Sequence, residues 1–227
     1  AIAADVSSSA AVARMFEAVA ARHGRLDVLV NNAGIAGHES DPSRAERFAS
    51  ATLTQMQERA TTGAVKTHID VTLETTDAEW ERMIAVHLNG TFFCTREALR
   101  IMSPQLAGSI INMGSIMGTA GGAGVPGYCA AKAGILGLTT GLSRELGRDG
   151  IRVNTVSPGW VFTERQVEEY FAGPQSQKFL DYLAQHQAIR IKTSALDVAN
   201  HVAFYLSEVS RASTGHNCVV DGGWLLE

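Results

Sequence analysis

Apolar residues recur along the chain at two different spacings, which predict helices that alternate with buried strands. A first helix has a serine-rich start, an end at Gly24 and apolar residues at helical spacing between them, namely Val12, Met15, Phe16 and Val19. The run LDVLV at 26–30 is continuously apolar, as expected for a strand covered on both faces of a parallel sheet. It leads directly into Asn31-Asn32-Ala33-Gly34.

Two further units repeat this order of helix and strand. In the second, Asp77 is the predicted N-cap of a helix, the strand SIINM follows at 109–113, and the apolar face of the helix carries Trp80, Met83, Ile84, Leu88 and Phe92. In the third, the strand IRVNTV at 151–156 follows a helix with Ile135, Leu138, Leu142 and Leu146 on one face. Such alternation is typical of an α/β fold with a doubly wound parallel sheet, so we predict a single Rossmann-like domain over residues 1–227.

Two stretches interrupt the alternation. Residues 38–76, which have the character of an insertion, begin with a polar helical pattern and then alternate between apolar and polar positions from Val65 to Glu74. The alternation predicts an extended, half-exposed segment. Residues 160–193 are rich in aromatic and polar side chains and precede a last helix, and we expect them to form a mobile cover over a site.

Composition and charge narrow the function classes. The chain has 227 residues, a net charge of −4 and 45% hydrophobic residues, which is ordinary for a globular domain and offers no basic surface for nucleic acid. No apolar run is long enough to span a bilayer, and the opening residues lack the features of a signal peptide. The widely spaced Cys94, Cys129 and Cys218 indicate free thiols and no metal site, so we expect a cytoplasmic protein.

Tyr128 and Lys132 are candidates for acid–base chemistry. They lie four residues apart in a segment with a helical pattern, so their side chains share one face. An adjacent ammonium favours the phenolate of a tyrosine, whose ordinary pKa is about 10. Ser115 follows a strand at the carboxyl edge of the sheet, where α/β folds bind ligands, and its hydroxyl can polarise a substrate oxygen. Such pairs are also common as plain neighbours on helices, so the pair alone leaves both interpretations open.

Successive short motifs carry a family resemblance. They are Asn31-Asn32-Ala33-Gly34, Ser115, Tyr128-Cys129-Ala130-Ala131-Lys132, Pro158-Gly159 and Asp221-Gly222-Gly223. In their order and spacing the chain resembles the short-chain dehydrogenase/reductase family over almost its whole length, and 38–76 is the main region without a counterpart in simpler members. The resemblance implies a sheet of seven parallel strands and an NAD(P)-dependent oxidoreductase. Such an enzyme transfers a hydride between nicotinamide and a secondary alcohol or ketone, here of a 3-oxoacyl or hydroxysteroid-like class.

The resemblance also implies roles for individual residues. Tyr128 would be the general acid or base, Lys132 would lower the pKa of Tyr128 and bind the nicotinamide ribose, and Ser115 would hold the substrate oxygen. The resemblance implies that Tyr128 and Lys132 also contact NAD or NADP. The other implied contacts are Asp5 and Val6 at the adenine, Asn32, Ala33 and Gly34 along the cleft, and Pro158, Gly159, Val161 and Thr163 at the nicotinamide. A plain strand-ending turn is the alternative interpretation of the last group.

One catalytic position departs from the family. The family's asparagine on the helix before the serine strand is matched by His87. Asn89 comes two residues later, and two residues turn an α-helix by about 200°. His87 is therefore the predicted fourth catalytic residue, because an imidazole both accepts and donates a proton. The alternative is a hydrogen-bonded core histidine.

A second departure concerns the cofactor phosphates. The family's opening strand, glycine-rich turn and helix have no match, and the stretch from Gly118 to Gly127 lacks the order G-x-G-x-x-G at a helix start. We expect that stretch to shape a substrate loop. We also expect the chain to be N-terminally incomplete, its first strand to lack a neighbour, and the chain alone to bind cofactor weakly.

Other function classes remain open. A catalytically silent nucleotide-sensing or interaction module on the same fold agrees with His87 and the unmatched phosphate loop, whereas Tyr128 and Lys132 favour the enzyme. A lyase or dehalogenase of this scaffold would tend to carry arginine in place of Lys132. Several aromatic residues indicate a small apolar substrate, namely Trp160, Phe162, Tyr170, Phe171 and Tyr182. The alternative is that these side chains pack into the core. By resemblance we expect a homo-oligomer, a tetramer or dimer joined through the long helices and the C-terminal strand.

Overall fold

The computed structural model describes residues 1–36, 42–163 and 181–226. Its centre is a sheet of four parallel strands in the order β1 (Val28–Asn31), β2 (Gly108–Met113), β3 (Ile151–Pro158) and β4 (Asn217–Val220). Parallel neighbours require each connection to cross a face of the sheet before the next strand begins. The predicted parallel sheet is confirmed, with four strands in the described ranges instead of the seven that the resemblance implies.

One helix precedes the first strand, and the others occupy these crossovers. They are α1 (Ser9–His23), α2 (Pro42–Thr62), α3 (Val71–Glu74), α4 (Asp77–Ile84), α5 (Gly90–Gln105), α6 (Pro126–Leu146) and α7 (Ala195–Leu206). A π-helical turn, Ala85–Asn89, joins α4 to α5. The helices and strands predicted from the hydrophobic pattern are present in the predicted order.

Neighbouring residues of β2 show that the sheet is covered on both faces. Ile110 and Ile111 are both fully buried, but in different cores. Ile110 lies with residues of α1, α5, α6 and β3, among them Val12 and Phe16. Ile111 lies with residues of β3, α7 and β4, among them Val198. Because successive side chains of a strand point to opposite faces, the two cores confirm the doubly wound architecture.

Local signals fix the ends of the helices. Ser8 caps α1 by accepting a hydrogen bond from the backbone N–H of Ala11, and Gly24 ends it with φ +69°, a conformation that favours glycine. Helix α4 begins with a capping box in which Thr76 and Glu79 exchange hydrogen bonds. The predicted N-cap Asp77 is therefore wrong by one residue, because the hydroxyl of Thr76 reaches the backbone N–H of Glu79.

The inserted segment is more helical than predicted. Its first part forms α2, but the alternating part does not stay extended through Glu74, because Val71–Glu74 forms the short helix α3. Residues 64–70 carry no regular structure and are mostly exposed. The carboxylate of Glu58 accepts hydrogen bonds from the backbone N–H groups of Lys66 and Thr67, so the end of α2 holds the returning chain without a strand.

The first strand has one neighbour. Strand β1 pairs with β2, whereas the opening residues 1–5, which were expected to lack a neighbouring strand, form no strand. In the described part of the chain its other edge is open, and Val28 and Val30 are 44% and 37% exposed.

No helix in the described ranges combines the length and apolar character needed to cross a membrane.

Candidate active site

Ser115 lies just past the carboxyl end of β2. It is buried, and its Oγ accepts a hydrogen bond of 3.2 Å from the backbone N–H of Met117 as it caps a short 3₁₀ turn. Gly114 precedes it, and an added Cβ there would meet Thr155 and Ser157 of β3. The serine hydroxyl is therefore held at the sheet edge by a strand end that requires glycine.

Tyr128 and Lys132 lie one turn apart in α6, which begins at Pro126. The Nζ of Lys132 donates a hydrogen bond of 2.6 Å to the carbonyl oxygen of Met113 and lies 5.4 Å from the centroid of the Tyr128 ring. The side chain of Ser115 lies close enough to Tyr128 to influence the pKa of the tyrosine. The structure thus brings together Ser115, on the turn after β2, with Tyr128 and Lys132, on α6.

Burial controls the protonation of this group. It raises the pKa of Tyr128, and the side chain of Ser115 opposes that rise. Burial also lowers the pKa of Lys132 from 10.5 to about 8, because the charged amine loses hydration. The expected lowering of the Tyr128 pKa by Lys132 is not found here. The pKa of Tyr128 is instead higher than that of a free tyrosine.

His87 lies in the π-helical turn between α4 and α5 and is 3% exposed. Its Nε2 lies 3.2 Å from the backbone nitrogen and 2.9 Å from the carbonyl oxygen of Ile35, so the ring is tied to the segment after β1. Its ring makes an edge contact with Tyr128 at 5.2 Å between centroids. A Cβ at Gly34 would lie 2.6 Å from Cε1 of His87, so glycine is needed where the two segments meet.

Both interpretations of His87 find support in these contacts. It is a buried, hydrogen-bonded histidine, and it also borders the cavity that contains Tyr128. Asn89 is exposed and is not among the residues that border the cavity. The prediction that Asn89 does not replace the family asparagine therefore agrees with its position.

A cavity of about 590 Å³ unites these residues. Of the predicted site residues it is bordered by Ser115, Tyr128, Lys132, His87, Asn32, Gly34, Pro158, Gly159 and Val161. The Gly-rich stretch contributes Gly124 and Gly127, as expected for a substrate loop. This size is within the range of pockets that hold small organic ligands.

Four predicted cofactor residues do not border the cavity. They are Asp5, Val6, Ala33 and Thr163, judged on the described ranges. Asp5 is exposed and accepts hydrogen bonds from Ser7 and Arg82, while Val6 packs against Gly90. Of the predicted substrate aromatics, Trp160 borders the cavity, Phe162 and Tyr182 do not, and Tyr170 and Phe171 lie outside the described residues, as does 164–180 of the predicted cover.

One wall of the cavity was not predicted from the sequence. It is formed by one face of α2 and by α4, with Arg44, Phe48, Ala49, Thr52, Glu79, Trp80 and Met83. The α2 residues recur at i, i+4, i+5 and i+8, a helical spacing visible in the sequence. That spacing alone does not say which surface the face contacts.

The cavity has groups suited to the nicotinamide end of NAD or NADP. Two N–H donors of Lys132 remain after its bond to Met113, enough for the two hydroxyls of a ribose. Pro158 and Val161 supply apolar surface for a flat ring beside this amine. The donor set and the apolar walls therefore fit a nicotinamide riboside.

Fold and site together define a class of protein: a doubly wound α/β oxidoreductase with a serine, a tyrosine and a lysine at the carboxyl edge of its sheet. The chain also matches known families. Residues 1–74 match the family described as short chain dehydrogenase, and residues 59–225 match enoyl-(acyl carrier protein) reductase. The chain belongs to the short-chain dehydrogenase/reductase family and is an NAD(P)-dependent oxidoreductase of alcohols or ketones.

Relatives of several kinds support this membership. The chain is 31% identical to a 3-oxoacyl-acyl-carrier-protein reductase of Staphylococcus aureus strain Mu50 over 98% of this chain and 76% of that protein. It is 31% identical to zerumbone synthase of Zingiber zerumbet over 97% and 73% of the two chains. The solved structure of ElxO with NADP bound has a TM-score of 0.77 at 29% identity and covers 98% of this chain and 77% of that chain.

Proposed function

We propose that the chain interconverts neutral apolar ketones and their secondary alcohols, with Tyr128 as the group that gives and takes the proton. The observation that carries this proposal is the meeting of Ser115, Tyr128 and Lys132 in one cavity. Most other side chains at this cavity are apolar, and the charge of Arg44 is paired with Glu79. A neutral apolar substrate therefore suits it better than a charged one.

The proton step follows from the state of Tyr128. Its raised pKa keeps the phenol protonated at neutral pH, so it can donate to a ketone oxygen on which negative charge develops. Ser115 contributes a second hydroxyl beside the same oxygen. In the reverse direction Tyr128 accepts the proton of the alcohol. A rise in pH favours this oxidation, because the reaction releases a proton.

Lys132 and His87 assist the proton transfer by Tyr128. The amine of Lys132 lies 5.4 Å from the centroid of the Tyr128 ring, and its remaining N–H donors would hold the ribose. His87 keeps the Gly34–Ile35 segment at the cavity and offers a titratable ring at the edge of Tyr128. NAD or NADP supplies or accepts the hydride when bound, with Asn32, Gly34, Pro158, Gly159 and Val161 along its nicotinamide half.

The remaining cofactor assignments are also part of the proposal. Asp5 and Val6 would contact the adenine. Ala33 lies between Asn32 and Gly34, and the backbone N–H of Thr163 donates a hydrogen bond to the carbonyl oxygen of Val161, and these three partner residues all border the cavity. We further propose a cytoplasmic homotetramer formed by a single domain. Three free cysteines agree with a reducing compartment. Exposed apolar residues on α7 and β4, among them Leu196, Phe204 and Val219, agree with a buried contact between copies.

Replacement of Tyr128 tests the proton step. We expect Tyr128→Phe to lower the turnover of cyclohexanone with NADPH by at least 100-fold, since positioned proton transfer contributes about 10²–10⁴-fold. NADPH binding, followed by its fluorescence, should be the same in the variant as in the native chain. Tyr182→Phe, outside the cavity, serves as the matched control. Undiminished turnover in Tyr128→Phe would refute the assignment, and NADPH binding without any turnover by the native chain would favour the silent nucleotide-binding module.

A further inference from the structure

The wall that α2 contributes to the cavity belongs to the segment without a counterpart in simpler family members. Arg44, Phe48, Ala49 and Thr52 place one face of this helix on the cavity that also contains Ser115. The hydroxyl of Thr52 donates to the carbonyl oxygen of Phe48 within the helix. Of these four residues, Phe48 has the largest apolar side chain.

The ring of Phe48 packs against a glycine of the loop that leads into the catalytic helix. At Gly124 the backbone has φ +78°, and an added Cβ would overlap the Phe48 ring. Gly124 lies between Ser115 and Tyr128, so Phe48 packs directly on the segment that leads into the catalytic helix. The position of α2 and the shape of the site are thus joined at one contact.

An ion pair anchors the same helix to α4. Nη1 and Nη2 of Arg44 donate to the two carboxylate oxygens of Glu79 at 3.0 and 3.4 Å. The side chains are 14% and 23% exposed, so water screens the pair little. Glu79 in turn accepts from the backbone N–H of Thr76 in the capping box of α4. The wall is held at two points and presents a compensated charge to the cavity.

We propose that Phe48 determines substrate size, because its ring limits the bulk of the apolar group that a ketone carries beside its carbonyl. The inference rests on the proposed function, and it makes α2 the specificity element of this chain. Removing the ring would enlarge the cavity next to Gly124 while leaving Ser115, Tyr128 and Lys132 in place. One extra or missing methylene group in an apolar pocket changes the discrimination between substrates by about 10–200-fold.

Two ketones of different bulk, cyclohexanone and 2-decalone, test this inference by binding and by turnover. Binding is followed by tryptophan fluorescence, since Trp80 and Trp160 border the cavity. We expect Phe48→Ala to raise the affinity for 2-decalone relative to cyclohexanone about tenfold, and Phe48→Leu to shift it in the same direction by less. The ratio of kcat/KM values should shift likewise through KM. Leu53→Ala is the matched control, because Leu53 lies on α2, is 37% exposed and does not border the cavity.

The outcomes separate this inference from the proposed function. A shifted affinity ratio without turnover in any variant would support the role of Phe48 and refute the proposed reaction. Turnover by the native chain with an unchanged ratio in folded Phe48→Ala and Phe48→Leu would refute the role of Phe48 and leave the reaction standing. An equal shift in Leu53→Ala would also refute it, since the effect would then be a general loosening of α2.

Discussion

Lys132 serves the proposed function and at the same time lowers the stability of the folded protein. Its amine is buried without a carboxylate partner among the described residues and donates to the carbonyl of Met113. The loss of hydration lowers its pKa from 10.5 to about 8. A buried, readily deprotonated amine next to a tyrosine is typical of functional sites, because stability alone favours an apolar side chain there.

The cost of Lys132 depends on pH in a predictable direction. The unfolded chain binds the proton of this amine more tightly than the folded chain, so stability rises with pH between about pH 8 and 10.5. Below pH 8 the full penalty applies, on the order of 3 kcal/mol. We expect Lys132→Met, which also loses a hydrogen bond, to be about 2 kcal/mol more stable than the native chain at pH 6.5.

Urea unfolding across pH 6.5–10 measures this effect as the difference between variant and native chain. The difference should shrink as the pH rises. Lys192→Met, at an exposed position, should show no such trend. A pH-independent difference for Lys132→Met would mean that the amine is hydrated in solution.

At the scale of elements, α6 joins the site to the sheet. Its N-terminal part carries Tyr128 and Lys132, and its last turns pack Leu146 into the core of Ile110. Gly118 packs against the backbone of Lys132, where an added Cβ would lie 2.8 Å from the carbonyl carbon. Gly137, in contrast, has open space around such a Cβ. Gly137 is therefore one of two open glycines in this helix, whereas Gly118 packs on the helix from the loop.

These two glycines predict opposite effects of alanine. Gly137→Ala should stabilise the protein by roughly 0.5–1 kcal/mol, because alanine favours the helix. Gly118→Ala should destabilise it by roughly 1–3 kcal/mol and lower turnover, because the contact is with backbone that has little freedom to move. Thermal unfolding together with ketone reduction measures both. A stabilising Gly118→Ala would show that the loop does not pack on α6.

At the scale of the whole molecule, a polar network crosses the sheet near the carboxyl ends of the strands. Asn31 of β1 donates to Asn112 of β2, Asn112 donates to Thr139 of α6, and the hydroxyls of Thr139 and Thr155 of β3 lie 2.7 Å apart. Asn112 and Thr155 are fully buried. The network ties three strands and the catalytic helix together, so its members depend on one another for hydrogen bonds.

Thr139 is the centre of this network, and its replacement tests the coupling. Thr139→Val keeps the volume but leaves the buried amide of Asn112 without its acceptor, which should cost about 1–3 kcal/mol. Thr140→Val, at the neighbouring exposed position, should change stability by less than about 0.5 kcal/mol. Equal effects of the two changes in urea unfolding would argue against a cooperative network.

The sequence by itself determined the alternation of helices and parallel strands, because each buried face repeats with the period of its element. It also determined that Ser115, Tyr128 and Lys132 meet, since the carboxyl ends of parallel strands share one edge. Those features are local, or follow from the sheet, and the structure agrees with both. The cap at Thr76 and the helix at 71–74 were missed because neighbouring side chains decide such ends.

Only the tertiary structure decided the wall of the cavity and the protonation of the site. The face of α2 meets Gly124 through a contact between residues far apart in the sequence, which no local pattern encodes. The spacing of Tyr128 and Lys132 predicted a lowered tyrosine pKa, but burial raises it, and burial depends on the whole fold. Desolvation and long-range packing are sums over many distant residues, so they emerge only when the chain is folded.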